Sequence, residues 1–427
     1  MALIEFVAVT LSESDSSRLW GRNLEFPKTA SLAEGHTVEI IGWVLGRQSP
    51  AVAVEVSAEG RLIQRVPVNI QRSDVAALYP QAGEGERSGF RAEIHTSGII
   101  ELELIVQAVL RDQSRVPLGV IRARRRWRED LNVASTPLIS VVIPCYNQGH
   151  FLTEAIESVL AQTYPHFEIV VIDDGSKDNA EEVAGGYPGV RYIRQENSGL
   201  AAARNTGLRR SRGGYIVFLD ADDRLMPNAL EDGLTAFAAH PESAFVAGHC
   251  TPITVDGTRF PIFEQACVDQ DPYAGLLSKC FIYPPATVMF RRSVFETVRN
   301  FDTSVSPCAD YDLYLRIAKD FPISCHHHVV AEYRKHGANM TRDSALMLKS
   351  AHTVLGLQRK HAKQKPAWKM AYKKGIRFIQ QCYGTPLIEE IRAHVTTHEM
   401  RQAIRKLLAL LRYYPQGIVP LLRRGRS

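Results

Sequence analysis

The feature that most constrains this chain is a series of short apolar, β-branched segments that begins near residue 138. Ile139–Pro144, Phe167–Ile172 and Tyr215–Leu219 are too short for helices and show no polar alternation. Between the first two, Phe151–Gln162 carries apolar residues at helical spacing. Continuous apolar strands are buried on both faces, and their alternation with helices predicts a mainly parallel sheet covered by helices.

A pair of carboxylates stands directly after the third apolar segment. Asp220 and Asp222 are separated by one residue, so their side chains can point the same way. The carboxyl end of a buried strand is where open α/β sheets bind ligands. Such a pair suits a hard cation, Mg²⁺ or Mn²⁺, that bridges protein carboxylates and substrate phosphates. The alternative is a polar loop that caps the helix beginning near Pro227.

Polar residues also follow the other two apolar segments. Asp173 and Asp174 come after the second segment and could accept hydrogen bonds from a base or a ribose. Tyr146 lies with Pro144 and Asn147 at the end of the first segment and could stack on a flat ring. Each cluster alone fits ordinary turn chemistry. Three such clusters at the ends of successive strands indicate one ligand site.

Two helical segments and a loop add further candidates. Arg204 lies among small residues in Gly199–Gly207, and its fork of donors could hold a diphosphate, whereas the alternative is a surface arginine. Asp310 opens another helical segment, where a carboxylate is either a catalytic group or an N-cap. The polar loop Tyr333–Thr341, which contains His336, could cover bound phosphates.

Together these segments resemble family 2 glycosyltransferases of the GT-A fold. The resemblance covers nearly all of residues 138 to 341 and does not extend to the first 130 residues. The matching segments occur in the family's order: Ser140–Asn147, Glu157–Thr163, Ile172–Asp178, Gly199–Gly207, Phe218–Asp223, Asp310–Arg316 and Tyr333–Thr341.

The resemblance implies a role for each motif residue. Asp220 and Asp222 would hold the metal, and Asp310 would be the general base that takes the proton from an acceptor hydroxyl. A single displacement would then invert the anomeric configuration. Members often carry Glu-Asp where this chain has Ala309-Asp310, which implies an intact base with an altered orientation or acceptor contact. The implied donor-binding residues are Pro144, Tyr146, Asn147, Asp173, Asp174, Arg204, Asp220 and His336.

Four regions differ in sequence texture. Residues 1–121 contain short β-type segments separated by turn signals, which predict a β-sandwich, with a short helix over Arg72–Tyr79. Residues 122–137 open with an arginine run and are interpreted as a basic linker, with nucleic-acid or lipid-phosphate binding as the alternative. Residues 138–343 are the expected glycosyltransferase domain. Residues 344–427 are helical by pattern.

Composition bounds where such a protein acts. The 427 residues, 45% of them hydrophobic, suffice for two or three ordinary domains. The seven cysteines include no CxxC pair, and neither a signal peptide nor a long uncharged span is evident, which favours a cytoplasmic location. The expected partners are a UDP-sugar and a glycan or lipid-linked acceptor, and no nucleic acid.

The C-terminus has a charge pattern of its own. After Glu399 no acidic residue follows, and arginines alternate with leucines up to Arg426. This segment could lie on an anionic membrane, at its inner face. The alternative is a helix that packs its leucines on the catalytic domain and leaves a basic tail in solvent. Cys325–His328 could suggest a metal site, but consecutive strand residues alternate faces.

The expected function is an inverting glycosyltransferase in bacterial surface or extracellular polysaccharide assembly, an assignment that rests on family analogy. A non-catalytic sugar-binding or scaffold protein on the same fold is one rival. A nucleotidyltransferase is another, although such a protein is expected to carry a glycine-rich basic loop after its first strand. The residues from Pro144 to His150 lack that character.

Overall fold

Residues 2–13, 15–34, 37–82, 87–96, 101–127, 136–260 and 270–422 are described by the computed structural model. The chain divides into two units, Met1–Val133 and Ala134–Ser427. Among the described residues, no helix combines the length and apolarity needed to cross a membrane.

The first unit is a sandwich of two antiparallel sheets. One sheet has the order β3-β1-β10-β9-β5-β6 and the other β2-β4-β8-β7. Their inner faces share a core that includes Phe6, Val54 and Leu104 of the larger sheet and Val38 and Phe90 of the smaller one. The β-sandwich prediction is confirmed. The elements are β1 (Ala2–Leu11), β2 (Leu19–Phe26), β3 (Leu32–Glu34), β4 (Thr37–Gly46), β5 (Ala51–Ala58), β6 (Arg61–Pro67), β7 (Ile70–Gln71), α1 (Ser73–Leu78), β8 (Arg87–His95), β9 (Glu101–Leu110) and β10 (Arg115–Trp127).

The linker prediction is wrong for residues 122–127, because β10 continues through the arginine run. In β10 the exposed arginines face glutamates on both neighbouring strands. Arg122 Nε lies 2.6 Å from Glu103 Oε2 of β9, and Arg124 Nε lies 2.6 Å from Glu5 Oε2 of β1. The alternating buried residues end at Trp127, which is fully buried. These pairs give the arginines a structural role in a strand. Residues 128–135 of the predicted linker lie outside the described residues.

The second unit is built on a mixed eight-stranded sheet with the order β13-β12-β11-β14-β17-β16-β18-β15. β13, β12, β11 and β14 are parallel, and β17 runs antiparallel to β14. The elements are β11 (Ile139–Cys145), α2 (Gly149–Leu160), β12 (Phe167–Asp173), α3 (Ala180–Gly185), β13 (Val190–Arg194), α4 (Leu200–Arg210), β14 (Tyr215–Phe218), β15 (Arg224–Leu225), α5 (Ala229–Ala239), β16 (Phe245–Ile253), α6 (Pro272–Ser278), β17 (Val288–Arg291), α7 (Val294–Val298), α8 (Ala309–Asp320) and β18 (Ser324–Arg334).

Burial explains why the predicted strands form. Every residue of β11 and β14 is buried, as expected for strands covered by helices on both faces. Helix α4 lies unusually close to β11, because a Cβ on Gly207 would come within 2.1 Å of Val142 Cγ1. The small residues predicted in this helix therefore allow it to approach the sheet. The sheet with flanking helices is the predicted architecture.

The C-terminal region is helical, as predicted, and packs within the second unit. It contains α9 (Ser344–Gln358), α10 (Pro366–Ile379), α11 (Thr385–Thr396), α12 (Met400–Tyr413) and α13 (Ile418–Leu422). Trp368 of α10 donates a 2.8 Å hydrogen bond to Asp271 Oδ2, at the start of α6. A Cβ on Gly375 would come within 1.9 Å of the Leu277 carbonyl oxygen, so α10 also packs closely on α6.

Candidate active site

The polar clusters predicted from the sequence lie at one edge of the second sheet. β12, β11 and β14 are parallel neighbours, so their carboxyl ends point the same way. Cys145, at the end of β11, lies opposite Asp173 in the pairing of β11 with β12. The backbone N–H of Asp174 donates to the Cys145 carbonyl at 2.8 Å. The loops that follow these strands therefore form a single rim, where α/β sheets bind ligands.

Asn147 connects the first two loops of this rim. Its backbone N–H donates to Ser176 Oγ at 2.9 Å, and its Oδ1 accepts from the Lys177 N–H at 2.8 Å. Asn147 has a φ of 53°, a left-handed conformation that asparagine tolerates better than most residues. Next to it, the Tyr146 ring is 48% exposed, while Pro144 is buried in the strand. The Tyr146 ring is therefore available for stacking, whereas Asn147 holds the first two loops together.

Asp173 and Asp174 are buried and bound to protein donors. Asp173 accepts from Ser176 N–H at 2.7 Å and from the Tyr192 hydroxyl at 2.5 Å, with Arg194 Nη1 at 3.0 Å. Burial acts to raise the pKa of Asp173, but these hydrogen bonds and the charge of Arg194 lower it overall. The Asp173 carboxylate thus ties the ends of β12 and β13 together.

Asp174 fixes the segment that leads into α4. Its Oδ1 accepts from Gln195 Nε2 at 2.6 Å and from the Ser198 N–H at 2.9 Å, and its Oδ2 accepts from the Gly199 N–H at 2.7 Å. A carboxylate has about four acceptor positions, so Asp174 keeps limited capacity for a ligand. The donor-binding roles of Asp173 and Asp174 stay predictions, and their contacts show how they shape the rim.

Arg204 is a buried arginine paired with the first aspartate of the motif. Its side chain is only 2% exposed, and its Nη2 lies 2.7 Å from Asp220 Oδ1. The guanidinium also packs over the Phe301 ring. Burial acts to lower the pKa of Arg204, but the charges of Asp220 and Asp310 raise it overall. The alternative of a surface arginine is therefore excluded.

Asp222 is paired with the histidine of the following loop. Asp222 Oδ2 and His336 Nε2 lie 2.8 Å apart. The Ala338 N–H donates to His336 Nδ1 at 3.3 Å, so in the neutral ring the proton is assigned to Nε2, which donates to Asp222. Phe151 packs against the His336 ring with centroids 5.3 Å apart. The structure thus joins two predicted site residues that are 114 positions apart in the sequence.

Asp310 lies in the first turn of α8, but it is not the N-cap of this helix. Cys308 occupies the N-cap position, and Asp310 Oδ1 accepts from the adjacent Tyr311 N–H at 2.8 Å. Burial raises the pKa of Asp310, and the charge of Asp220 adds to the rise, while Arg204 opposes it. Asp312, the other aspartate of this turn, is buried with its Oδ2 2.7 Å from Arg316 Nε. Asp310 is therefore the better candidate for a base.

Comparisons with known proteins identify the family of this region. Residues 140–299 match the model of a family described as "Glycosyl transferase family 2". The central domain is a family 2 glycosyltransferase domain. With it, the expected GT-A fold is established for the α/β part of the second unit.

Several curated relatives match part of this chain. An uncharacterized glycosyltransferase of Rickettsia prowazekii is 30% identical over 48% of this chain and 66% of its own length. Chondroitin synthase of Escherichia coli is 30% identical over 49% of this chain and 31% of its own length. Glycosyltransferase GlyG of Streptococcus pneumoniae is 44% identical over 22% of this chain and 33% of its own length. The chain thus spans between about a third and two thirds of these relatives.

Two solved structures show a weaker likeness. S. aureus TarS in complex with UDP is 17% identical, with a TM-score of 0.45 over 66% of this chain and 82% of that chain. A mannosyltransferase from Pyrobaculum calidifontis in complex with GDP-Man and Mn²⁺ is 18% identical, with a TM-score of 0.46 over 68% of this chain and 88% of that chain.

The carboxylates at the site of the glycosyltransferase domain fit a divalent cation that binds together with a nucleotide. Within the described ranges, no three or more His, Cys, Asp or Glu residues are arranged to hold an ion by themselves. Mg²⁺ and Mn²⁺ commonly use one or two carboxylates and take their other ligands from substrate phosphates and water. Asp222 and Asp220 supply such carboxylates, with one oxygen of Asp222 held by His336 and one oxygen of Asp220 held by Arg204. Asp223 Oδ2 is buried and has no hydrogen-bond partner in the described part of the chain.

Sequence reasoning missed a buried arginine that organises the glycosyltransferase site. Arg334, at the end of β18, is 1% exposed and donates from Nε to the Asp222 carbonyl at 2.9 Å. Its Nη2 lies 2.6 Å from Glu154 Oε2 of α2, and its backbone N–H donates to Asp223 Oδ1 at 2.9 Å. Arg334 therefore holds the aspartate loop against α2 and the loop that carries His336. The signal available in the sequence was its place within the polar segment Tyr333–Thr341, two residues before His336.

Proposed function

We propose that this chain is an inverting, metal-dependent glycosyltransferase that transfers a sugar from a nucleotide-sugar donor, most simply a UDP-sugar, to a hydroxyl acceptor. The observation that carries the proposal is the 2.7 Å ion pair between the buried Arg204 and Asp220, because the charge of Arg204 also acts on Asp310. Three residues from α8, α4 and the loop after β14 interact electrostatically, and the family 2 domain surrounds them. Perturbed titratable groups in such a cluster are typical of catalytic sites.

Asp310 is proposed as the base of the transfer step. Its raised pKa makes the ionised carboxylate a stronger proton acceptor. The acceptor hydroxyl gives its proton to Asp310 while its oxygen forms a bond to the anomeric carbon. The bond from that carbon to the donor phosphate breaks, and the nucleoside diphosphate leaves with the electron pair. One displacement inverts the configuration and needs no nucleophilic side chain.

The remaining residues bind and orient the donor in this proposal. Tyr146, with its exposed ring, stacks on the base, and the loops held by Asn147, Asp173 and Asp174 surround the nucleoside. Asp222, with Asp220 next to it, would hold the cation, which supplies charge neutralisation at the diphosphate when bound. Arg204 acts through Asp220, because its burial and its ion pair keep it inside the domain.

The proposed setting is assembly of a bacterial surface or extracellular polysaccharide on a glycan or lipid-linked acceptor, in the cytoplasm or at the inner face of the membrane. A relative named chondroitin synthase, 30% identical over 49% of this chain, supports a polysaccharide product. The relatives named above come from bacteria.

A donor screen tests the proposal. Purified protein is incubated with each common nucleotide sugar and Mn²⁺ or Mg²⁺, and release of nucleoside diphosphate is measured with and without candidate acceptors. We expect turnover with one donor class and loss of turnover when the cation is chelated. Absence of both turnover and nucleotide binding with every donor would sink the enzyme proposal.

Asp310→Asn separates binding from transfer. We expect the variant to keep donor affinity and to lose transfer by roughly 10²- to 10⁴-fold, the usual contribution of a general base. Asp320→Asn, at the other end of the same helix, is the matched control and should retain activity. If Asp310→Asn transfers sugar at the normal rate, Asp310 is not the base. Donor binding without turnover in the unmodified protein would instead favour the non-catalytic sugar-binding alternative.

A further inference from the structure

Helix α12 packs on the second unit through only part of its apolar surface. Ala403 and Leu410 are its buried residues. At 100° per residue these two lie on the same side of the helix. The sequence alternative, in which the leucines of this segment all pack on the catalytic domain, does not match this pattern, because other apolar residues of the helix face outward.

The outward apolar residues form one continuous stripe. Met400, Ile404, Leu408 and Leu411, here called the apolar stripe, are between 41% and 62% exposed. Their spacing of four, four and three residues places them on a single face of the helix. With a rise of about 1.5 Å per residue, the stripe is roughly 16 Å long. Contiguous exposed apolar residues of this kind mark a contact surface.

A row of arginines runs along one side of the apolar stripe. Arg401, Arg405 and Arg412, here called the basic edge, are all exposed. On a helical wheel they fall next to the stripe and opposite the buried face. Among the described residues, Arg405 Nη2 lies 3.9 Å from Asp343 Oδ2, a weak ion pair, and the Arg412 guanidinium packs over the neighbouring Tyr413 ring. Residues 400–427 contain no Asp or Glu.

The following helix continues the same character. Val419 and Leu422 of α13 are 56% and 75% exposed. Arg423, Arg424 and Arg426 lie outside the described residues. The end of the chain therefore combines exposed apolar side chains with an excess of positive charge.

We propose that the apolar stripe and the basic edge dock on the surface of an anionic lipid bilayer, with α12 lying parallel to the membrane plane. Helices that bind membrane interfaces combine an apolar face with basic residues beside it, and anionic headgroups attract the arginines. A second copy of this chain is a poorer occupant, because a symmetric contact through the stripe would bring basic edges close together. The surface belongs to the second unit, which also contains the glycosyltransferase domain. This inference does not depend on the transfer reaction.

Vesicle flotation tests the proposal with the full chain and no donor. The probes are vesicles of equal parts phosphatidylglycerol and phosphatidylcholine, and vesicles of phosphatidylcholine alone. We expect binding to the anionic vesicles to be at least roughly tenfold tighter and to weaken as salt is raised. The double variant Ile404→Gln/Leu408→Gln should lose at least roughly tenfold in binding to anionic vesicles.

Two further variants define the surface. The triple variant Arg401→Gln/Arg405→Gln/Arg412→Gln should lose the preference for anionic vesicles. Met370→Gln is the matched control, because Met370 is 73% exposed on α10, outside the stripe, and this variant should bind like the unmodified chain. Thermal unfolding of each variant shows that it is folded.

Two results would overturn the proposal. One is equal vesicle binding by the unmodified chain and the stripe variant, or no binding by either. The other is a dimer of the unmodified chain that dissociates on Leu408→Gln, seen by sedimentation, because a second copy would then cover the stripe.

Discussion

Arg204 Nη2 lies 2.7 Å from Asp220 Oδ1, and the two residues belong to different elements of the sheet edge. Arg204 is almost fully buried on α4, whereas Asp220 lies in the loop after β14 and keeps 24% of its side chain exposed. The ion pair therefore reaches from the interior of the domain to the surface of the site. Arg204 also lowers the pKa of Asp310. The same guanidinium therefore interacts with Asp220, next to the proposed cation ligand, and with the proposed base.

We expect Arg204→Gln to slow transfer by roughly a hundredfold, because Asp220 loses the partner that positions it. The pH dependence gives a sharper test. Arg204 lowers the pKa of Asp310, so its loss raises that pKa, and the acidic limb of the kcat/KM profile should move to higher pH. Arg209→Gln, an exposed arginine on the same helix, is the control and should leave the profile unchanged.

Asp222 and His336 should behave as a coupled pair. Each of Asp222→Asn and His336→Ala should weaken Mn²⁺-dependent nucleotide binding, because each removes half of the 2.8 Å contact. The double variant should bind more tightly than the sum of the single effects predicts, with a coupling free energy of about 0.5–3 kcal/mol. Calorimetric titration of the nucleotide measures all four affinities. Strict additivity would contradict the pairing, and His240→Ala, an exposed histidine, is the control.

Arg334→Ala should lower the stability of the second unit by about 1–3 kcal/mol, since it removes the donor to the Asp222 carbonyl, while Glu154 keeps its contact with Arg224. We expect a fall in the midpoint of thermal unfolding, measured by scanning calorimetry so that separate transitions of the two units are visible. Arg342→Ala removes an exposed arginine from the loop that follows and should have little effect. A small effect of Arg334→Ala would show that the loop does not depend on this residue.

Four histidines on β16 and β18 predict acid sensitivity. His326 lies beside His328, with ring centroids 5.5 Å apart, and His249 lies beside His327 at 5.4 Å. Burial lowers the pKa of His326 from 6.5 to about 4, with His328, His249 and His327 adding to this effect and Asp232 opposing it. Between these two pKa values, His326 therefore binds a proton in the unfolded chain but not in the folded chain.

Stability should fall as the pH drops from about 6.5 towards 4, because protonation favours the unfolded chain in this window. His326→Gln should remove part of that loss, which the melting temperature as a function of pH would show. His398→Gln, at an exposed histidine, should leave the pH dependence unchanged. Identical pH profiles for His326→Gln and the unmodified chain would rule out this contribution.

The polar residues at the edge of the sheet could be predicted from the sequence, because each group lies next to its strand in the chain. The apolar runs that form β11, β12 and β14 are each followed directly by their polar residues. Parallel strands bring such residues together whatever the connecting helices are. The conflict at Asp310 between a cap and a base needed the structure, since the N-cap is the preceding Cys308.

Contacts between distant residues could not be predicted in this way. Arg334 and Glu154 are 180 residues apart, and nothing in either segment indicates the other. The same holds for the end of β10, where the arginine run resembles a solvated linker until Glu5 and Glu103 are placed beside it.

The path of β10 matters for any attempt to separate the two units. β10 is an interior strand with β1 on one side and β9 on the other. A cut at residue 121, as the texture of the sequence suggests, would remove the partners of Ala2–Phe6 and of Glu101–Glu103. Both neighbouring strands would then present unpaired backbone groups, which invite strand addition and aggregation. If such a fragment is insoluble, the position of the cut is the expected cause. A fragment that keeps Trp127 retains the pairing of β10 with both β1 and β9.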